Sequence, residues 1–279
     1  MRRLNNYTTT GKSRDLFAFN SMTEITEFCN PSLFKQGRSK FVGRDDLNTW
    51  DSTSTATKTD WLHGLEVLQR FVEDLRKAEI PEVKSHKRKA GFSFEEGDEV
   101  DYDRLMSGQE FFRTVKREST TGPTTVTIVI DTTTPASQDS DNILWRGAAA
   151  IALTILLEEK GYSVELWVVN GSSLYAGKDT KVMTSCCLKE CSDPIDFSTL
   201  VNTVSGWFYR SITFTLLDTL CAHAGEKVAL GYGYCAEPDQ TDLDQFNSDE
   251  LRIYASGVFS YNGALSLMTS ELERIAEQE

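Results

Sequence analysis

From residue 124 onward, apolar positions follow two alternating rhythms. Thr124–Ile130 is β-branched throughout and almost wholly apolar in its second half, the pattern of a strand buried on both faces of a parallel sheet. It runs into Asp131-Thr132-Thr133-Thr134-Pro135. A helix is predicted from Ser140 to Lys160, capped by Asp139 or Ser140 and stopped at Gly161. Its many apolar residues, among them Ile143, Leu144, Ile151, Leu153, Ile155 and Leu156, predict deep burial. Tyr162–Val169 then reads as a second strand, closed by Asn170-Gly171. Together these make one βαβ unit, which in a parallel sheet crosses over right-handed.

The theme repeats toward the C-terminus. Lys181–Leu188 reads as a strand suited to a sheet edge, and Phe197–Val204 and Arg210–Ala224 read as helices. Lys227–Tyr234 and Leu251–Phe259 are predicted strands. Ala264–Gln278 is a terminal helix with Leu265, Met268, Leu272 and Ile275 in one stripe. Strand and helix alternate, so residues 124–279 are expected to form an α/β domain with a doubly wound, mostly parallel sheet of five or six strands.

Residues 1–120 lack that regularity and read as an irregular, α-rich extension. Ser21–Phe28 is a short helical candidate with Ser21 as N-cap and Glu24 three residues on. Asp51–Thr59 reads as a loop. Residues 61–79 carry Trp61, Leu65, Leu68, Val72 and Leu75 at spacings of 4, 3, 4 and 3, an amphipathic helix that ends before Pro81. Its apolar stripe is expected to pack on the C-terminal part. Ser119–Pro123, polar and ending in Gly-Pro, reads as the join.

Charge sharpens the division. The chain has 279 residues and a formal net charge of −13, from 29 basic and 42 acidic side chains. Residues 1–123 hold 20 of each sign, so the whole excess lies in residues 124–279. An acidic surface opposes nonspecific phosphate-backbone binding by the C-terminal part. The neutral N-terminal part has local basic groups: Lys35, Arg38, Lys40 and Arg44 around Phe34 and Phe41, and Lys84, Lys87, Arg88 and Lys89 just before an acidic run, Glu95–Asp103. Basic residues interleaved with aromatics suit single-stranded nucleic acid, whereas runs of like charge are more often solvated loops. The six cysteines include no Cys-x-x-Cys, so reduced thiols in a cytoplasmic protein are expected. Met1-Arg2-Arg3 is followed by no apolar stretch, so neither a secretory leader nor a transmembrane helix is expected.

Candidate chemistry gathers where strands end, because open α/β sheets bind ligands beyond the carboxyl ends of their strands. Two exits are polar and acidic: Asp131 to Asp141, and Cys235 to Asp244. Carboxylates beside hydroxyls are hard oxygen ligands of the kind Mg²⁺ or Mn²⁺ takes. Asp242-x-Asp244 lacks the Gly and the final Glu of an EF-hand loop. Walker A, Gly-x-Gly-x-x-Gly and Gly-x-Ser-x-Gly patterns are missing, and three histidines (His63, His86, His223) make a Ser-His-Asp hydrolase improbable.

A hydrophobic strand ending in Asp131-x-Thr133, a Ser-containing loop and a long apolar helix resembles the von Willebrand factor A-type domain over about residues 124–279. That family holds a divalent cation with an Asp-x-Ser-x-Ser motif at this strand end, and the cation binds a partner's carboxylate. The resemblance implies Asp131 and Thr133 as ligands. Pro135 replaces the second hydroxyl, which leaves Ser137 as its substitute. The later threonine corresponds to Thr203, and the later carboxylate to Asp239 or Glu237. The implied function is a protein-interaction or assembly module, with Mg²⁺ or Mn²⁺ where the motif operates. Another protein is then the expected partner, and a homo-oligomer is compatible. Two further classes stay open: a metal-dependent phosphoryl-transfer or phosphodiester-cleaving enzyme using Asp131, Asp139 and Glu237 or Asp239, and a nucleic-acid-associated protein of viral or mobile-element origin using the basic groups.

Overall fold

The computed structural model describes residues 2–9, 12–35, 42–77, 90–94, 99–100, 102–115, 125–135, 137–173, 181–223, 237–246 and 251–278. The predicted strand Lys227–Tyr234, the join at Ser119–Pro123 and the basic run Lys84–Lys89 lie outside them.

The described strands are β1 (Arg2–Thr9), β2 (Lys12–Phe19), β3 (Ala90–Ser93), β4 (Glu99–Val100), β5 (Phe112–Val115), β6 (Thr125–Asp131), β7 (Ser163–Ser173), β8 (Lys181–Lys189) and β9 (Leu251–Ala255). Six of them form one mixed, mostly parallel sheet in the order β1-β2-β8-β7-β6-β9. β6 lies parallel to both β7 and β9, and β2 parallel to β8, while β1 and β7 are antiparallel to β2 and β8 respectively. The remaining three make a small antiparallel sheet, β3-β5-β4.

The α/β expectation holds at this level. β6, the Ser140–Glu159 helix and β7 form the predicted βαβ unit. Val126, Ile128 and Ile130 face the main core and Val129 faces a second cluster with Leu16, Val169, Met183, Leu243 and Phe246, so β6 is buried on both faces at period two. The Ser140–Glu159 helix covers the first face, joined by the terminal Tyr261–Gln278 helix.

Three expectations need correction. β8 is an interior strand between β2 and β7, not an edge. Seven residues separate it from β7, too few for the crossover of a dozen or more that a parallel neighbour needs, so the pair is antiparallel. Asp51–Thr59 is not a loop, since residues Trp50–Ala56 are helical. Thr49 accepts the Ser52 amide at 3.1 Å while the Ser52 hydroxyl accepts the Thr49 amide at 3.2 Å, a reciprocal cap that offsets the poor helix propensity of a Ser/Thr-rich stretch. Thirdly, the N-terminal residues supply β1 and β2, which extend the main sheet. Leu16, Ala18 and Phe19 of β2 are buried.

The Leu62–Lys77 helix packs as its stripe predicts, against the Ser140–Glu159 and Phe197–Thr203 helices. Phe71, which is not in that stripe, is the most buried of its described side chains. It meets Trp145 and Tyr261 edge-on at ring separations of 5.8 and 5.4 Å.

Candidate functional site

Beyond the carboxyl ends of β6 and β9, the chain places a buried cluster of polar groups. Asp131 closes β6 with no exposed surface. One oxygen of its carboxylate accepts the Thr133 amide at 2.8 Å, and the other accepts the Tyr254 hydroxyl at 3.1 Å and the Ser256 hydroxyl at 3.2 Å. Thr133 turns its own hydroxyl to β7, where it accepts the Gly171 amide at 2.9 Å, and Thr132 donates to the Val169 carbonyl at 3.1 Å. The strand exit is thereby tied to both neighbouring strands.

Arg146, two turns into the long helix, reaches back to this exit and is itself fully buried. Its guanidinium donates to the Asp131 carbonyl, to the Thr133 carbonyl at 2.9 Å and to the Thr134 hydroxyl at 3.0 Å, and it lies 4.6 Å from the centre of the Phe259 ring. Burial pushes the Asp131 carboxyl above its ordinary range, a tendency opposed by the Arg146 charge and by its hydrogen bonds. Burial lowers the Arg146 pKa, and the charges of Asp131 and, more weakly, Glu237 oppose that. The Tyr254 hydroxyl is pushed up, first by burial and then by Asp131. Each charge is thus held where desolvation disfavours it and the other compensates.

A second buried arginine fixes the loop that follows. Arg210 donates to the carbonyls of Pro135 at 3.2 Å and Gln138 at 2.5 Å. It sits in a π-helical turn, Phe208–Thr213, directly after Gly206-Trp207. At Gly206 a side chain has no room: a Cβ would come within 2.9 Å of the Ser140 Cα. The Gly-Trp-Phe-Tyr-Arg stretch at 206–210 therefore packs against the start of the long helix and clamps the loop from β6.

The residues expected from the sequence separate into two groups. Asp131 and Thr133 meet at the strand end. Ser137 is exposed, and Thr203 donates its hydroxyl to the Thr199 carbonyl on its own helix at 2.8 Å. Asp239 is exposed and accepts the amides of Thr241 and Asp242 at 3.0 and 3.2 Å, a cap for the short Gln240–Leu243 helix that Asp242 returns by accepting the Asp239 amide. Glu237 is exposed. Asp131 and Thr133 thus lie together, whereas Thr203 and Asp239 satisfy groups of their own helices. Among the described residues, no three His, Cys, Asp or Glu side chains are grouped as a metal ion requires.

Arg146, Arg210, Tyr254 and Ser256 escaped the sequence reading. Arg146 had a signal: it is the one charged residue between Ile143 and Leu157, in a helix otherwise apolar enough to be buried. A lone charge in such a run demands a partner. Its charge partner, Asp131, stands at the end of the strand pattern 15 residues earlier, a separation that no helical spacing links.

Of the basic groups, Lys35 pairs with Asp218 at 2.8 Å, and Arg44 pairs with Asp46 at 2.6 Å and lies over the Trp207 ring at 5.4 Å. Both are thus engaged within the chain. Arg38, Lys40, Lys84, Lys87, Arg88 and Lys89 lie outside the described residues. Cys29, Cys186 and Cys187 are free thiols, and among the described residues no helix is long and apolar enough to cross a membrane.

The chain belongs to the family described as Domain of unknown function (DUF7192), whose model matches residues 7–263. That range takes in all of β2 to β9 and the end of β1. No curated protein and no solved structure matches the chain.

Proposed function

We propose that this family member is a non-catalytic protein-assembly module built on a von Willebrand A-like sheet, with a guanidinium serving at the strand end where that family holds a cation. The observation that carries the reading is the mutual commitment of Asp131 and Arg146. The carboxylate is engaged by three donors, and the guanidinium cross-links the exit of β6 through two carbonyls and one hydroxyl. Groups held this way brace a loop, although the Arg146 Nε is left without a partner. Strand order supports the scaffold half of the reading. Counted from β6, the first three strands run 3-2-1 and the last lies on the far side of β6, as in doubly wound sheets.

Mg²⁺ and Mn²⁺ titrations by calorimetry on the wild type and on Asp131→Asn test it, together with a panel of nucleotide and phosphodiester substrates. The expected result is no cation binding that depends on Asp131 and no turnover. Cation binding abolished by Asp131→Asn, with or without hydrolysis, would overturn it.

A further inference from the structure

The small β3-β5-β4 sheet carries a surface that the main fold does not use. None of its described residues belongs to either buried cluster. Five large apolar side chains lie outward there: Phe94 is 55% exposed, Tyr102 72% and Met106 85%, with Val100 and Leu105 also exposed. Half-buried rings link them. Phe94 meets Phe111 at 6.3 Å, Phe111 meets Phe112 at 4.7 Å, and Phe112 pairs across the ladder with Val100. Tyr102, Leu105 and Met106 follow on the Tyr102–Met106 helix, where Tyr102 and Met106 lie one turn apart on one face. Arg104 donates to the Glu110 carbonyl at 2.8 Å, which fastens that helix to the chain entering β5.

Area points to the occupant. At about 150–250 Å² for a free large side chain, the five groups expose roughly 500 Å² of mostly apolar surface. That is near the upper end for the largest patch on a monomer, about 300–600 Å². It also matches the apolar share of one side of a standard dimer interface, about 800 Å² per partner with roughly 60% of it apolar. Interface cores enrich Phe, Tyr and Met, and those of homodimers are the more apolar ones. Charge does not stand in the way of a second copy, because residues 84–118 hold eight basic and eight acidic side chains and the excess of −13 lies in residues 124–279. We infer that this face is a two-fold interface between two copies of the chain, with Phe94, Tyr102 and Met106 of one packing on the same group of the other. The inference rests on the assembly reading and names its partner, but it uses a different face. Its failure leaves the strand-end result standing, since Asp131 and Arg146 take no part.

Sedimentation of the full chain over about 1–100 μM, at low and at physiological salt, is the test. A dimer with a dissociation constant of about 10 μM or less is expected, and it should tighten as salt rises. Screening removes repulsion between two chains of net charge −13, while apolar burial is retained. Tyr102→Ser with Met106→Ser should raise the dissociation constant about 10-fold or more while circular dichroism stays unchanged. Leu62→Ser, at a position 69% exposed outside the patch, should keep the wild-type value. A chain that stays monomeric over the whole range overturns the inference and leaves the patch to a different protein. A dimer that the double variant leaves intact overturns it too, as does one that Leu62→Ser weakens equally or that salt dissociates.

Discussion

At the end of β6, charged groups are buried and apolar groups shield them; at the β3-β5-β4 sheet, apolar groups are exposed. The first region is closed: Asp131 and Arg146 have no exposed surface, the Asp131 carboxylate accepts from Thr133, Tyr254 and Ser256, and Arg146 donates to the Thr134 hydroxyl while its Nε has no partner. The second is open, with Met106 almost wholly in solvent. Buried polar groups must find partners inside the fold, whereas an exposed apolar group that finds none is available to another molecule. The contrast gives the first region a role in folding and leaves the apolar side chains of the second exposed.

Removing one side of the buried pair is the sharpest way to break that assignment. Arg146→Met keeps most of the side-chain volume but leaves the Asp131 carboxylate without its compensating charge and two carbonyls without a donor. Loss of about 3–5 kcal/mol of stability is expected, read from urea or guanidinium denaturation. Asp131→Asn combined with Arg146→Met should cost less than the sum of the two single changes, because the charges are coupled. Strict additivity would mean that the two groups do not act as a pair.

A smaller effect is expected at the opposite end of the sheet. Lys189 ends β8 with its ammonium buried, donating to the carbonyls of Val164 and Glu190 at 3.0 Å each and pairing with Glu158 at 2.6 Å. Lys189→Met removes a donor from two carbonyls, but Glu158 keeps partial access to water. A loss of roughly 1–3 kcal/mol follows. A loss as large as that of Arg146→Met would show that the ends of the sheet are equally strained, and the contrast between strand-end chemistry and ordinary capping would fail.

The pH dependence of stability separates burial from pairing at Asp131. Its folded pKa is raised, so the stability linked to it is fully present below the unfolded value and is lost as pH rises through the folded value. Asp131→Asn has no such titration. The stability of the wild type relative to this variant should therefore fall as pH climbs above the ordinary carboxylate range. A relative stability that instead rises with pH would mean that the Arg146 charge outweighs desolvation.

Much of this was legible along the chain, and the failures have physical causes. The βαβ unit, the long buried helix and the 61–79 helix announce themselves through period-two and period-3.6 apolar patterns, since each buries a complete face. β1 and β2 did not. β1 is a polar edge strand that needs no apolar face, and in β2 the apolar residues cluster only at Leu16–Phe19. The Trp50–Ala56 helix depends on a Thr49–Ser52 cap that Ser/Thr-rich loops also contain. Asp131 and Thr133 were found because strand ends are where α/β sheets place polar groups. Ser137, Thr203 and Asp239 were expected to converge with them by resemblance, yet Thr203 and Asp239 satisfy backbone groups in their own helices. Arg210 reaches the loop only because Gly206 lets its segment approach Ser140, a contact between residues 66 apart that no local pattern encodes.

The smallest effect belongs to the open region. Met106→Ser removes an apolar side chain that is already 85% exposed, so little buried area is lost and stability should change by no more than about 0.5 kcal/mol. Leu68→Ala, at a position 4% exposed on the 62–77 helix, provides the contrast, with a loss of about 2–5 kcal/mol. The ratio of the two matters more than either value. If Met106→Ser costs as much as Leu68→Ala, the side chain is covered in the free protein and the small sheet belongs to the core. A near-zero cost leaves Met106 without a folding role, and the side chain is then free to be covered by a partner.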